Sequence, residues 1–146
     1  GEIALFDASA PAPVSPDFVA LRDAFAAGLA PVLSRVTGKR VSRVDMRAYA
    51  YRPGHYLLPH TDHQEGLARV LAYAYYLPSP EPPVGGELEL FACTLDAGEI
   101  VRVEPGCVLT PRANRLVVFD VSAASLHQVR EVLGGLRISL AGWFYA

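Results

Sequence analysis

Four polar residues of this chain could do chemistry together: His60, Asp62, His127 and Arg137. The first two sit in Pro59-His60-Thr61-Asp62, and the third stands alone in Leu126-His127-Gln128-Val129. Arg137 follows ten positions later, in Leu136-Arg137-Ile138-Ser139. Two imidazoles and one carboxylate can hold one face of a non-haem Fe(II) and leave three coordination positions open. A guanidinium close by can bind a carboxylate through two parallel hydrogen bonds. If the four converge in space, they make a site for oxidation by O2 with the help of a carboxylate-bearing cosubstrate.

Their spacing makes convergence plausible on extended backbone. His60 and Asp62 are two residues apart, so a strand points both to one side and sends Thr61 and His63 to the other. On this parity His63 is a non-ligand, and so is His55. The spacing predicts that His127 lies in the penultimate strand and that Arg137 opens the last, just after Gly134-Gly135. A hairpin there would make His127 and Arg137 neighbours. Singly, each feature is weak: His-x-Asp is common, a lone strand His usually packs, and an Arg can be a solvated strand end. The ordered combination carries the inference.

Two kinds of element must position these residues. Up to about Lys39 the pattern is helical. Ser15 is a candidate N-cap, Pro16 suits the first helical position, and Asp17 suits the positive helix end. Phe18, Leu21, Phe25 and Leu29 form an apolar stripe, which Val32, Leu33 and Val36 continue. Pro31 is expected to break or restart the helix, and Gly38 to end it. After Lys39 the chain reads as short strands punctuated by Pro and Gly. They are expected at 41–52, 55–60, 69–77, 87–91, 99–103, 107–110, 116–121, 126–132 and 137–145. In the first, Val44, Met46, Ala48 and Ala50 share one face, and Asp45, Arg47, Tyr49 and Tyr51 the other. The expected fold is mainly β with an N-terminal helix: a double-stranded β-helix, or jelly roll, of roughly eight strands. One domain over 1–146 is expected, with 1–38 as helical support and 39–146 as the jelly-roll core.

Composition narrows the function classes. The 146 residues are 51% hydrophobic, enough for a core and contrary to disorder. A net charge of −2 gives no global basic field, so no nucleic-acid partner is expected. Cys93 and Cys107 are read as two reduced thiols in or near the core. No signal peptide is visible, no apolar run approaches the ~20 residues of a membrane span, and no membrane partner is expected. The preference for Arg over Lys, with Lys39 the only lysine, and the abundance of Ala and Pro suggest a bacterial, cytoplasmic protein. Gly1 in place of Met indicates a processed chain or an excised piece. Oligomeric state is left open.

Further motifs surround the four residues: Tyr51-Arg52-Pro53-Gly54, Tyr75-Tyr76-Leu77, Gly85-Gly86-Glu87-Leu88, Pro111, and residues 114–119, 127–132 and 137–144. With these, the chain from about Val44 to Ala146 resembles the Fe(II)/2-oxoglutarate-dependent dioxygenases. It looks most like their prolyl hydroxylase branch, nearest the ribosomal-protein and hypoxia-sensing prolyl hydroxylases, and the enzyme it implies is prolyl 4-hydroxylase-like. The resemblance implies that His60, Asp62 and His127 bind Fe(II) and that Arg137 pairs with the distal carboxylate of 2-oxoglutarate. Tyr76 matches a family tyrosine that donates to the same carboxylate, and Tyr51 matches one near the cosubstrate and substrate entrance. Ser139, facing as Arg137 does, could add a hydroxyl, and Trp143 could line the pocket on the same face. The implied chemistry consumes O2 and 2-oxoglutarate, gives succinate and CO2, and hydroxylates an unactivated C–H; ascorbate is a candidate reductant. Asp62 separates this site from halogenases, which have a small residue there. The implied substrate is a prolyl residue in a peptide or protein, with loops 64–68 and 79–86 as candidate flanks of the entrance. A free amino acid or other small molecule is the alternative substrate. A catalytically inactive binding domain of the same fold is the alternative class, and a cupin-like jelly roll would have no use for Arg137.

Overall fold

The computed structural model describes residues 4–7, by the course of their backbone, and residues 15–146. The rest of the expected helical support, 1–3 and 8–14, lies outside the described residues. A first strand, β1 (Ala4–Asp7), pairs antiparallel with β3 (Arg47–Tyr51), which the helical reading of the N-terminal region did not anticipate.

Among the described residues there is one helix, α1, which runs Pro16–Thr37 with Ser15 at its N-cap and Gly38 at its C-cap. Gly38 adopts φ 71° and returns its N–H to the Ser34 carbonyl at 2.9 Å, which satisfies one of the last orphan acceptors. Ser15 caps through its carbonyl, which receives Phe18 and Val19 N–H, and its side chain makes no cap bond. Contrary to the break expected at Pro31, the helix continues through it. Pro31 and Ala27, whose carbonyl loses its partner, are both exposed, so water takes the freed acceptor. Phe18, Phe25, Leu29 and Leu33 pack on the sheet. Leu21, Val32 and Val36 face outward at 41%, 41% and 75% exposure, so the buried stripe is narrower than the apolar pattern suggested.

The remaining strands are β2 (Arg43–Val44), β4 (Leu57–His60), β5 (Arg69–Tyr76), β6 (Val84–Gly85), β7 (Leu88–Asp96), β8 (Glu99–Leu109), β9 (Leu116–Asp120), β10 (His127–Val129), β11 (Val132–Gly134) and β12 (Arg137–Tyr145). They form a six-stranded major sheet ordered β1-β3-β12-β5-β9, with β2 also on β12. A four-stranded minor sheet is ordered β4-β10-β7-β8, and β11 pairs with β6 in a small ladder. This is the jelly-roll arrangement expected from the strand pattern.

Strand alternation gives the major sheet two different faces. Toward α1 point Val44, Met46, Leu71, Leu140 and Phe144, the buried centre of the hydrophobic core, joined by Tyr73, whose ring lies 5.6 Å from that of Phe25. Toward the minor sheet point Tyr49 and Tyr51, the small Ala72 and Ala74, and Arg137, Ser139, Ala141 and Trp143. Small side chains on β5 and mid-β12 keep the two sheets from filling the space between them.

Four expected strands are divided differently. Residues 41–52 form β2 and β3 because Asp45 interrupts the ladder. Its buried carboxylate, in place of a backbone carbonyl, accepts Trp143 N–H at 2.6 Å, and it also accepts Tyr145 O–H at 3.0 Å. Residues 99–109 are one strand, since 103–107 continue to pair with β7 through an irregularity. Residues 126–132 split into β10 and the start of β11. The Val132 backbone bonds to the 54–55 turn instead, donating to His55 O at 3.0 Å and accepting from Gly54 N at 2.8 Å.

That split corrects the expected hairpin. β10 belongs to the minor sheet and β12 to the major one, with β11 between them in sequence. His127 and Arg137 therefore meet across the space between two sheets.

Candidate active site

His60, the last residue of β4, is the direct cross-strand partner of His127, the first residue of β10. Their ring centroids are 4.3 Å apart. Asp62 lies just past the end of β4 and reaches both: His60 Nε2 is 3.5 Å from Oδ1 and His127 Nε2 is 3.4 Å from Oδ2. One ligand atom from each of the three residues falls within 4.8 Å of the others. His55 and His63 are not in this group. His55 instead accepts Arg52 N–H on Nδ1 at 3.2 Å.

Both imidazoles are aimed by the same device. His60 Nδ1 donates to the Leu58 carbonyl at 2.8 Å, and His127 Nδ1 donates to the Ser125 carbonyl at 2.9 Å. A carbonyl can only accept, so each neutral ring carries its proton on Nδ1 and turns an Nε2 lone pair toward Asp62. Such outer contacts orient metal-binding histidines.

Electrostatics separate the two rings. The hydrogen bond to Asp62 raises the pKa of His60 despite partial burial. Burial lowers that of His127, which is 5% exposed and packed edge-on against Phe119. Burial pushes the Asp62 carboxyl up, but hydrogen bonding from His60, the nearby Trp143 N–H and the imidazole charges outweigh it and hold the pKa below the ordinary value. Trp143 Nε1 is buried with no hydrogen-bond partner of good geometry, so its effect on Asp62 is chiefly that of an oriented dipole.

Across the cavity, Arg137 is 3% exposed. Its Nε donates to the Gly86 carbonyl at 2.9 Å and its Nη1 to Ser139 Oγ at 3.3 Å. The guanidinium carbon lies 4.8 Å from the Tyr51 ring centroid and 5.1 Å from that of Tyr76. Burial raises the Tyr51 pKa, with Arg137 opposing. Tyr76, opposite Ser139 in the β5–β12 ladder, is 1% exposed, and its hydroxyl has no partner. A buried guanidinium with no carboxylate partner among the described residues and an unsatisfied hydroxyl nearby is a place for an incoming anion.

These features share one cavity of about 290 Å³. His60, Asp62 and His127 stand on one side and Tyr51, Arg137 and Ser139 on the other. Tyr76 borders it through Arg137. The donor set suits a divalent metal with open positions, and the buried cation and orphaned hydroxyl suit the far carboxylate of a dicarboxylic cosubstrate.

Two contributors carried little signal in the sequence. Gly86 was visible only as half of a Gly-Gly pair. Arg69, which donates to the Asp62 carbonyl at 3.3 Å and stacks its guanidinium 3.6 Å from the Trp143 ring centroid, stood in the sequence only as the first residue of an expected strand.

The chain belongs to the 2OG-Fe(II) oxygenase superfamily, whose family profile matches residues 46–145. Fe(II), 2-oxoglutarate and O2 are the cofactor and cosubstrates of that family, and the His-Asp-His group is where the metal fits. The chain is 38% identical over 118 residues to prolyl 3-hydroxylase OGFOD1 of Mus musculus, covering 77% of this chain and 21% of that protein. It is 39% identical over 120 residues to the Xenopus laevis protein of the same name, covering 77% and 22%. The chain thus spans about a fifth of the length of these curated relatives. A crystal structure of a Pseudomonas putida prolyl-4-hydroxylase shares the fold, with a TM-score of 0.67 and 24% identity over 98% of this chain and 70% of that one. Among the described residues, no helix is long and apolar enough to cross a membrane.

Proposed function

We propose that this chain is the catalytic unit of a hydroxylase that oxidises a C–H bond of a prolyl residue in a peptide or protein. 2-Oxoglutarate would be converted to succinate and CO2. The observation that carries the reading is the pairing, within one cavity, of the His60–Asp62–His127 donor set with the buried Arg137 site facing it.

In this reading His60, Asp62 and His127 hold Fe(II), and Arg137, Tyr76 and Ser139 receive the distal carboxylate of 2-oxoglutarate. When bound, the metal and its cosubstrates supply the oxidising chemistry that no side chain here can provide. The protein's share is placement. The Nδ1–H contacts to Leu58 and Ser125 keep both Nε2 lone pairs directed inward before metal arrives. Arg137, anchored by Gly86 and Ser139, sets the depth and direction of the cosubstrate. Tyr51 walls the cavity beside it, and Phe119 and Leu88 keep water from the metal side.

A peptide is favoured over a free amino acid by the surface next to the metal site. Tyr56, Leu57 and Leu58 are 54%, 39% and 66% exposed on and beside β4, an edge strand that ends at His60. An apolar strand edge offers an extended peptide both backbone pairing and side-chain contact. Relatives named prolyl 3-hydroxylase support C3 as the position oxidised. Cys93 is half-buried and Cys107 exposed, not in the core as expected; as free thiols they suit a reducing, cytoplasmic setting, and residues 1–146 are taken to act as one domain.

The test is incubation with Fe(II), 2-oxoglutarate and prolyl peptides, reading succinate and a one-oxygen mass gain. Separation of 3- from 4-hydroxyproline in the hydrolysate then identifies the position. Absence of iron-dependent succinate across a broad peptide and amino-acid panel would overturn the reading in favour of a non-catalytic domain.

A further inference from the structure

Gly86 occupies an unusual place between β6 and β7. It has φ 71°, a left-handed conformation that strains any residue with a Cβ. Its N–H donates to the Glu131 carbonyl at 3.0 Å, and its own carbonyl accepts the Arg137 Nε–H at 2.9 Å. A Cβ at this position would lie 2.9 Å from Arg137 Cδ and 2.9 Å from Val132 Cγ2. Gly86 therefore does two things to one side chain. It leaves room for the Arg137 stem to pass, and it offers a backbone acceptor to the inner edge of the guanidinium.

The consequence is directional. A guanidinium has five N–H donors in a planar fork. Gly86 takes Nε–H and Ser139 takes one Nη1–H, while the Tyr51 and Tyr76 rings lie within 4.8 Å and 5.1 Å of the guanidinium carbon. The fork is thus fixed in rotation by contacts from three different strands and one loop. Neighbouring Gly85 has another task. It pairs with Val132 in the β6–β11 ladder, and a Cβ there would strike the Glu131 carbonyl, so it serves the backbone and not the arginine.

We propose that Gly86 is a positioning residue for cosubstrate binding: its missing side chain and its carbonyl together set the orientation in which Arg137 receives the distal carboxylate. The inference rests on the reading of Arg137 as the cosubstrate anchor. It deepens that reading by assigning the control of cosubstrate choice to a backbone position on a separate loop. A misaimed fork keeps its charge but loses two-point recognition, so the loss falls on ligands that carry a distal carboxylate.

The experiment is calorimetric binding of 2-oxoglutarate and of pyruvate, which lacks that carboxylate, to the Mn(II)-loaded protein. Wild type, Gly86→Ala and Gly86→Ala/Val132→Ala are compared, the second substitution removing one of the two obstructing contacts. In both variants 2-oxoglutarate affinity is expected to fall roughly 10- to 100-fold, as a displacement on the scale of 1 Å allows. Pyruvate and Mn(II) affinities are expected to stay near wild type. Wild-type protein that does not prefer 2-oxoglutarate over pyruvate would sink the anchor reading itself. A preserved preference in folded Gly86→Ala would sink only the role of Gly86, as would equal losses for both ligands. Failure of both variants to fold, read by circular dichroism, would also overturn it and make Gly86 a folding residue.

Discussion

His60 and His127 face each other as direct partners in the β4–β10 ladder, and each is locked by donating Nδ1–H to the carbonyl two residues before it. The two metal-facing lone pairs are thereby set by the minor sheet alone. The third donor, Asp62, lies beyond the strand end and is held by its backbone carbonyl through Arg69. The anion site belongs to the other sheet. On the proposed reading, metal binding and cosubstrate binding therefore rest on different parts of the fold, and substitutions should separate them.

Metal affinity is the first test of that division. His127→Ala should abolish binding of Mn(II) or Co(II) measured by titration calorimetry. His63→Ala, which removes an exposed residue outside the triad, should leave it within about twofold, the size of an ordinary surface effect. Loss of metal in His63→Ala would mean the ligand set is wrong.

Arg137→Ala should weaken 2-oxoglutarate while sparing metal. Truncating one partner of a buried charged pair costs ~2–5 kcal/mol, so an increase in KM of roughly 30- to several-thousand-fold is expected. Arg137→Lys should recover only part of this, because an ammonium lacks the planar fork. Parallel loss of metal and cosubstrate in Arg137→Ala would contradict the division into two sheets.

Tyr76→Phe should move two quantities in opposite senses. The hydroxyl is buried without a partner, and an unsatisfied buried group costs ~1–3 kcal/mol. Without cosubstrate the variant should melt higher, by about 3 °C for each kcal/mol recovered. With cosubstrate it should bind 2-oxoglutarate more weakly. A lower melting temperature would show that the hydroxyl is satisfied in solution by something other than the ligand.

Asp45 tests the scaffold. Its 3%-exposed carboxylate accepts from Trp143 and Tyr145 and lies 3.5 Å from Arg47 Nη1. Asp45→Ala strands these donors and should destabilise the fold by ~3–5 kcal/mol in chemical denaturation. A loss below about 1 kcal/mol, the range of surface substitutions, would show the network to be dispensable.

The pH dependence of metal binding follows from the three shifts. Asp62, below its ordinary value, stays ionised near neutrality, and His127, pushed down by burial, stays neutral. His60 is raised by its bond to Asp62, so a proton competes for its Nε2 at higher pH than for a free imidazole. Mn(II) affinity should therefore be full well above ~6.5 and fall as pH drops toward and through that value. A flat profile between pH 8 and 6 would remove His60 from the ligand set.

Parity alone made part of this site legible in the order of residues. The i, i+2 relation of His60 and Asp62, and of Arg137 and Ser139, needs only an extended backbone. The same rule put Tyr49 and Tyr51 on the face opposite Val44 and Met46, where the structure has them. Helix ends were legible too, because Pro16 and Gly38 act through local backbone geometry.

Partner choice was not legible. The Gly134-Gly135 pair suggested a hairpin, but Val132 spends its backbone bonds on Gly54 and His55, and the chain crosses to the other sheet. Nothing in residues 126–137 encodes that, since the competing donor and acceptor, Gly54 N–H and His55 O, lie some eighty positions upstream. Asp45 likewise read only as one residue on the Arg47–Tyr49–Tyr51 face of a strand, and the donors that its buried carboxylate meets, Trp143 and Tyr145, lie about a hundred positions away. The sequence by itself thus determined which residues share a face, because side-chain direction on a strand depends only on count. Tertiary structure decided which faces meet, because long-range ladders compete for the same backbone groups. His127 and Arg137 became opposite walls of one cavity through that competition alone.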